Sequence, residues 1–248
     1  MPMSTPSFRV IGAGRAGGSL QRALTKAGWN PFEPLGRGDD LHKAAVGVDV
    51  LIIATPDAAI AETAAAVAPV DGCAVVHLSG SLGLDVLAPH ARRATLHPLL
   101  ALPDAETGER RLFDHAWFAL TDGADPVALD IVTALDGRHI VLADDPDVRA
   151  LHHAACCVAG NYVTTVLGQV ERLAAAAGVP TDAYLALARG AIDNVAELGA
   201  AAALTGPVAR GDHATVDRHR AVIDKYAPAD RAAYDALATA AEELAKCK

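Results

Sequence analysis

Phe8-Arg9-Val10-Ile11-Gly12-Ala13-Gly14-Arg15-Ala16-Gly17-Gly18 is the stretch on which the fold turns. Phe8–Ile11 reads as a strand, and Ser19–Ala27 reads as a helix that ends at Gly28. A strand, a glycine turn and a helix make the first half of a βαβ unit. Gly-x-Gly-x-x-Gly in that position is the pattern that receives a dinucleotide. The first glycine permits the tight turn, the second lets the backbone approach a pyrophosphate, and the third lets helix and strand pack closely. The helix start adds unpaired N–H groups and the positive end of its dipole. Gly12, Gly14, Arg15, Ala16 and Gly17 are therefore the expected phosphate-side residues. The plainer reading is a glycine-rich turn without a ligand. Its place as the first βα turn of an alternating chain speaks against that.

The alternation continues through about residue 140. Asn30–Leu35 reads as an irregular or edge strand, because Pro31 and Pro34 interrupt it. Val48–Ala54 is a buried strand that ends at Thr55-Pro56-Asp57, and Ala58–Val67 is helical. Cys73–Leu78 closes with Ser79-Gly80, and Ala94–Leu96 closes with His97-Pro98. Trp117–Leu120 and His139–Leu142 are short strands around a helix at Pro126–Leu135. Near-continuous apolar strands alternating with helices indicate a mostly parallel sheet covered on both faces. After Asp144-Asp145-Pro146 no strand pattern remains. Asp147–Ala177, Thr181–Ala203, His213–Tyr226 and a last stretch to about Lys246 read as helices, with Thr181 and Asp212 as candidate N-caps. The expected organisation is an α/β dinucleotide-binding domain over residues 1–143 and an all-α domain over 144–248.

An acid about 20 residues beyond the loop would grip a ribose 2′-hydroxyl, whereas an arginine there accommodates a 2′-phosphate. Arg37 holds that place and Asp39 and Asp40 come later, which favours NADP over NAD. The bland alternative for Arg37 is a solvated loop charge. In open α/β sheets ligands bind outside the carboxyl ends of the strands. Thr55, Pro56, Ser79 and His97 fall there, although Ser, Thr and Pro also simply end strands.

Composition excludes several classes. The 248 residues are 52% apolar, enough for a core, and the net charge is −9 with no basic cluster, which argues against nucleic-acid binding. No apolar run reaches the roughly 18–20 residues of a membrane span. Met1–Ser7 lacks the pattern of a targeting segment. Cys73, Cys156, Cys157 and Cys247 form neither a disulfide framework nor a metal knuckle, so reduced thiols, a cytoplasmic location and no metal are expected. The chain has no Gly-x-Ser-x-Gly elbow and no His-Glu-x-x-His. The Ala154–Ala177 segment is apolar around most of its circumference, which predicts burial by a second subunit or by its own neighbours.

These residues together resemble a known group. The Gly12–Gly17 loop, Ala54-Thr55-Pro56-Asp57, His77-Leu78-Ser79-Gly80, Leu96-His97-Pro98, Leu151-His152-His153-Ala154-Ala155, Asn161 and above all Leu204–Asp212 are similar to the family that joins a Rossmann-like half to the helical domain of unknown function 2520. That family belongs with the 6-phosphogluconate, ketopantoate and pyrroline-5-carboxylate reductases. The resemblance implies an NADP-dependent oxidoreductase, ketopantoate-reductase-like, acting on a small carboxylate-bearing carbonyl or imine and dimeric through its C-terminal helices. Relatives that reduce 2-oxo acids carry Lys-x-x-x-Asn on the first long helix. Asn161 matches the asparagine, but Cys157 stands at the lysine.

The acid of such a site must then be another group. At about 100° per residue, 153, 157 and 161 share a stripe, so His153 is the expected proton donor, with Asn161, Ser79 and His97 orienting the substrate. His97 is the rival donor, and His152 falls about 100° off that stripe. Thr205 and Arg210 are the expected substrate-binding pair, with Arg210 able to clamp a carboxylate bidentately. The competing class is a nucleotide-binding sensor or partner protein without catalysis, which the missing lysine favours.

Overall fold

The computed structural model describes residues 5–247. Of the Met1–Ser7 stretch considered above, residues 1–4 lie outside that range. The chain divides into two compact units, one up to Gly160 and one from Asn161 onward.

The first unit is built on a five-stranded parallel sheet. Its strands are β1 (Ser7–Ile11), β2 (Asn30–Pro31), β3 (Val50–Ile53), β4 (Ala74–His77) and β5 (Arg92–Thr95), in the order β2-β1-β3-β4-β5. The central strands β3 and β4 are buried at every residue, as a sheet covered on both faces requires. Helix α1 (Arg15–Lys26) and helix α2 (Asp57–Ala66) connect the strands. Pro31 and Pro34 keep β2 short, yet Phe32 and Leu35 still donate to Phe8 and Val10 of β1.

A second sheet holds β6 (His97–Pro98), β7 (Trp117–Thr121) and β8 (Arg138–Leu142), with β6 antiparallel and β8 parallel to β7. Helix α3 (Ala105–Leu112) precedes β7 and helix α4 (Val127–Ala134) joins β7 to β8. The sequence reading has no counterpart for α3. Its start is set by Asp104, whose carboxylate accepts from Thr107 N at 2.8 Å. Gly108 lets it close on α1, where any Cβ would collide with Ser19 Oγ.

Register aligns Ile11 with Ile53, Ile53 with His77, and His77 with Thr95. The glycine loop, Thr55-Pro56, Ser79-Gly80 and His97-Pro98 consequently leave the sheet on one edge. The chain order reverses between β1 and β3, the switch point where such sheets bind ligands.

Helix α5 (Pro146–Cys157) completes the first unit, although the expected boundary at 143/144 assigns it to the helical half. Asp145 caps it, accepting from Asp147 N and Val148 N. Arg149 anchors it: the side chain is 2% exposed and donates to Thr121 Oγ1 and, at 3.3 Å, to Asp144 Oδ1.

The long helix continues as α6 (Val163–Ala177) through a π turn at Val158–Tyr162. An i→i+5 turn takes in about one extra residue. The stripe arithmetic that aligned Asn161 with His153 therefore does not carry through it.

The second unit holds α6, α7 (Asp182–Leu198), α8 (Ala200–Ala203), α9 (His213–Tyr226) and α10 (Arg231–Ala245). The single helix expected over 181–203 is broken at Gly199, which takes a φ of +79°. Thr181 stands at the N-cap of α7, but its hydroxyl makes no capping bond. Asp212 caps α9 as expected, accepting from Thr215 N at 3.1 Å. Few side chains of this unit are buried. One buried tie joins α6 to Asp230, which is 3% exposed: Arg172 Nη2 donates to its carboxylate at 2.6 Å and Gln169 Nε2 to its carbonyl at 2.8 Å. Among the described residues no helix is long and apolar enough to cross a membrane.

Candidate nucleotide and substrate site

A cavity of about 560 Å³ opens at the switch point of the first unit. Its walls are the glycine loop, the Gly36–Asp39 turn after β2, Ala54–Pro56 after β3, and one side of α2. The glycines of the loop differ in what requires them. Gly12 has a φ of +89°, and a Cβ there would lie 2.8 Å from Ala54 O. A Cβ on Gly17 would lie 2.2 Å from Gly12 O and 2.8 Å from Ala54 Cβ, so helix and strand could not approach. At Gly14 a Cβ would meet nothing within 4 Å. Packing does not require a glycine there, which leaves the close approach of a ligand as the reason. Gly14 is also the N-cap of α1, and neither a side-chain cap nor a first-turn acid serves that end. Its N–H groups and dipole are available to an anion.

Two further groups fit the same occupant. Thr55 Oγ1 is buried beside the cavity without a hydrogen-bond partner, which costs about 1–3 kcal/mol unless a ligand completes it. Arg37 is exposed on the rim. Its acidic neighbour Asp39 accepts from Gly36 N at 2.7 Å, so that carboxylate is engaged in holding the turn. The basic group is the freer of the two to meet a ligand.

Beside this cavity Ser79 Oγ donates to Asp57 Oδ2 at 2.6 Å and accepts from Ser81 N and Leu82 N. Ser79 is 4% exposed and its hydroxyl is satisfied within the protein. The hydroxyl ties Asp57 to the Ser79–Leu82 turn. His77 is also fully buried. Its Nδ1 accepts from Ser79 N, which leaves Nε2 to donate to Gly83 O at 3.0 Å. Burial keeps its imidazole below the ordinary range, and a neutral ring fits both bonds.

His97, at the end of β5 and start of β6, meets two histidines of α5. Its ring lies 5.5 Å from that of His152 and 6.3 Å from that of His153, both edge to face. His97 Nδ1 is 3.3 Å from His152 Nε2, and Cys156 Sγ is 3.6 Å from the same nitrogen. The ring of His97 packs on Gly80, where a Cβ would collide with it. Burial, then the electrostatic effect of the neighbouring His152 and His153 rings, holds the pKa of His97 down at about 4. It is neutral near pH 7 and can serve there as acceptor or weak donor, not as an imidazolium acid.

The sequence reading brought His97 and His153 together and gave His152 no part. The structure puts His152 in direct contact with His97. No spacing along the chain signals this contact, since His97 lies 55 residues before His152. In the second unit Asn161 lies in the π turn, Thr205 precedes the single 3-10 turn Val208–Arg210, and Arg210 ends that turn; all three are exposed.

Residues 118–241, half of the chain, match the family described as "Domain of unknown function (DUF2520)". The chain belongs to this family. No curated protein matches its sequence. Solved structures do. A candidate NADP oxidoreductase of Bacteroides fragilis, BF3122, is 20% identical with a TM-score of 0.77, over 96% of this chain and 98% of that one. Protein TM1727 of Thermotoga maritima is 20% identical with a TM-score of 0.71, over 97% and 98%. An imine reductase of Myxococcus stipitatus solved with NADP+ is 16% identical with a TM-score of 0.64, over 98% and 95%. At these identities the likeness establishes the fold of this DUF2520 chain: a Rossmann-like sheet followed by a helical region.

Proposed function

We propose that the protein is an NADP(H)-dependent oxidoreductase that reduces a small carbonyl or imine substrate carrying a carboxylate. The observation that carries this reading is the switch-point cavity, with open space over Gly14 and an unpartnered Thr55 hydroxyl. The resemblance of the fold to the imine reductase solved with NADP+ supports it. In this reading the N–H groups at the start of α1 hold the pyrophosphate, with Arg15 and Ala16 in that first turn. Pro56 shapes the opposite wall, Thr55 completes its hydrogen bond on the nucleotide, and Arg37 meets the 2′-phosphate. The nucleotide supplies the hydride.

Hydride addition leaves charge on the substrate oxygen or nitrogen, which needs an acid beside it. His153 is the donor: it lies beside His97, and the low pKa of His97 leaves that ring neutral at working pH. Neutral His97 orients the substrate by a hydrogen bond, and Ser79 acts through Asp57. Asn161, Thr205 and Arg210 are the substrate groups supplied by the helical unit, with Arg210 on the carboxylate. The reading places the enzyme in the cytoplasm, where its four free cysteines stay reduced.

The reading also makes the protein a homodimer through the helical unit. Leu187, Ile192 and Leu198 of α7 are each 60% exposed or more, apolar surface that a second copy would cover.

The test is oxidation of NADPH against a panel of 2-oxo acids and cyclic imines. Turnover is expected. His153→Asn should lower it about 10²–10⁴-fold, the usual cost of a lost general acid, with NADPH affinity retained. Turnover within a few-fold of wild type in that variant would remove His153 from the role. NADPH binding with no turnover on any substrate would favour the sensor reading.

A further inference from the structure

His152 and Cys156 sit four residues apart on one face of α5, and both reach the side chain of His97 from the sheet edge. One ring nitrogen each of His97 and His152 and the Sγ of Cys156 lie within 4.8 Å of one another as potential metal ligands. The geometry points to a binding site for a zinc-class divalent cation on His97, His152 and Cys156, with its fourth position open.

The distances match the ligand set. Zinc binds histidine nitrogen at about 2.0–2.1 Å and cysteine sulfur at about 2.3 Å, in a tetrahedron. Those bonds put two nitrogens about 3.3–3.4 Å apart and a nitrogen about 3.6 Å from a sulfur. The protein has 3.3 Å between His97 Nδ1 and His152 Nε2, and 3.6 Å between His152 Nε2 and Cys156 Sγ. The remaining edge, from a ring nitrogen of His97 to Cys156 Sγ, is no longer than 4.8 Å.

The donor set selects the metal class. Two imidazoles and a thiolate suit zinc and its neighbours, not magnesium or calcium, which take oxygen ligands. The backbone is already arranged for it. Arg149, one turn before His152, ties α5 to the sheet through Thr121 and Asp144, and Gly80 makes room for the His97 ring. A site with three protein ligands leaves one position for water or for an oxygen of a small ligand. Linear motif reading misses this constellation because His97 lies far from His152 and Cys156 in the chain.

The site is independent of the nucleotide reading, so its test contains no nucleotide and no substrate. The full chain, stripped with chelator, is titrated with cobalt(II) chloride and then with zinc chloride. The expected result is one equivalent of cobalt bound, with the thiolate-to-cobalt charge-transfer band of a sulfur ligand, bleached as zinc displaces it. Cys156→Ser should abolish the band. His97→Asn and His152→Asn should weaken cobalt binding by more than about 100-fold, since changes merely next to metal ligands cost 10–100-fold. Cys157→Ser should leave both band and affinity intact. Circular dichroism of each metal-free variant shows whether it is folded, and a Cys156 variant that unfolds is replaced by Cys156→Ala. Absence of a band in the wild type, a band that survives loss of Cys156, or one that vanishes with Cys157 would overturn the assignment.

Discussion

Gly14 and Gly17 belong to one motif, yet the same substitution should act on them in opposite ways. At Gly17 an alanine Cβ would stand 2.2 Å from Gly12 O, 2.8 Å from Ala54 Cβ and 3.1 Å from Val10 Cγ1. The first of these is backbone held in the turn and cannot swing aside, so α1 must lift from the sheet. Overpacking of that kind costs about 1–3 kcal/mol. For a unit of this size each kcal/mol lowers the melting temperature by about 2–4 °C, so Gly17→Ala should lose about 2–12 °C.

Gly14 has a φ of −74° and a ψ of −155°, which alanine adopts, and open space on its Cβ side. Losing glycine at an N-cap costs up to about 1 kcal/mol, and the stiffer unfolded chain returns about 0.4–1 kcal/mol. Gly14→Ala should therefore melt within about 2 °C of wild type. Its methyl group, however, occupies the space a pyrophosphate needs. Loss of one or more hydrogen bonds to a charged phosphate costs about 1.5–3 kcal/mol, about ten- to 150-fold in affinity. Differential scanning fluorimetry and fluorescence titration with NADPH measure the two effects side by side. If Gly14→Ala destabilised the protein as much as Gly17→Ala and bound NADPH with wild-type affinity, the loop would be a packing motif and the reasoning from open space would be refuted.

Three more outcomes follow from the structure. Arg172 holds the Asp230 carboxylate below the ordinary aspartate range. The stability this pair contributes is present above about pH 4, the ordinary aspartate pKa, and is lost as pH falls through the lowered folded value. Asp230→Asn should therefore be less stable than wild type at pH 7 in urea denaturation and lose less between pH 5 and pH 2; parallel pH curves would contradict this. Arg149→Met removes the donor from buried Thr121 and from Asp144, and should cost about 1–3 kcal/mol in a urea melt. A change below about 0.5 kcal/mol, the level of an ordinary surface substitution, would show that Arg149 does not anchor α5. Sedimentation should give a dimer for the wild type at micromolar concentration and a monomer for Leu187→Asp; a monomeric wild type would remove the proposed assembly.

The glycine loop was legible because each of its residues has a local reason. Gly12 must reach a positive φ and Gly17 must admit a strand, and both reasons act within a dozen residues. The strand ends at Thr55, Ser79 and His97 were legible for a similar cause, since polar turns after fully apolar strands place themselves on one edge. What could not be read depended on distant contacts. Ser79 looks like a free hydroxyl until Asp57, 22 residues earlier, is seen to accept its hydrogen bond. His152 looks like an outward residue until His97, 55 residues earlier, lies against it. Helix α3 lacks an apolar run long enough to mark it, and its place depends on Gly108 closing against Ser19 of α1. The π turn at Val158–Tyr162 defeats periodicity itself, because stripe counting assumes 3.6 residues per turn throughout.

The central claim is that the switch-point cavity holds NADP(H), with Arg37 reading the 2′-phosphate. The most direct measurement is the pair of dissociation constants for NADPH and NADH in the wild type and in Arg37→Ala. A charge-assisted pair to the phosphate contributes about 1.5–3 kcal/mol, so the wild type should prefer NADPH by about ten- to 150-fold. The variant should lose that preference while binding NADH as the wild type does. Equal affinities for the two nucleotides in the wild type, or a preference that survives the loss of Arg37, would contradict the account.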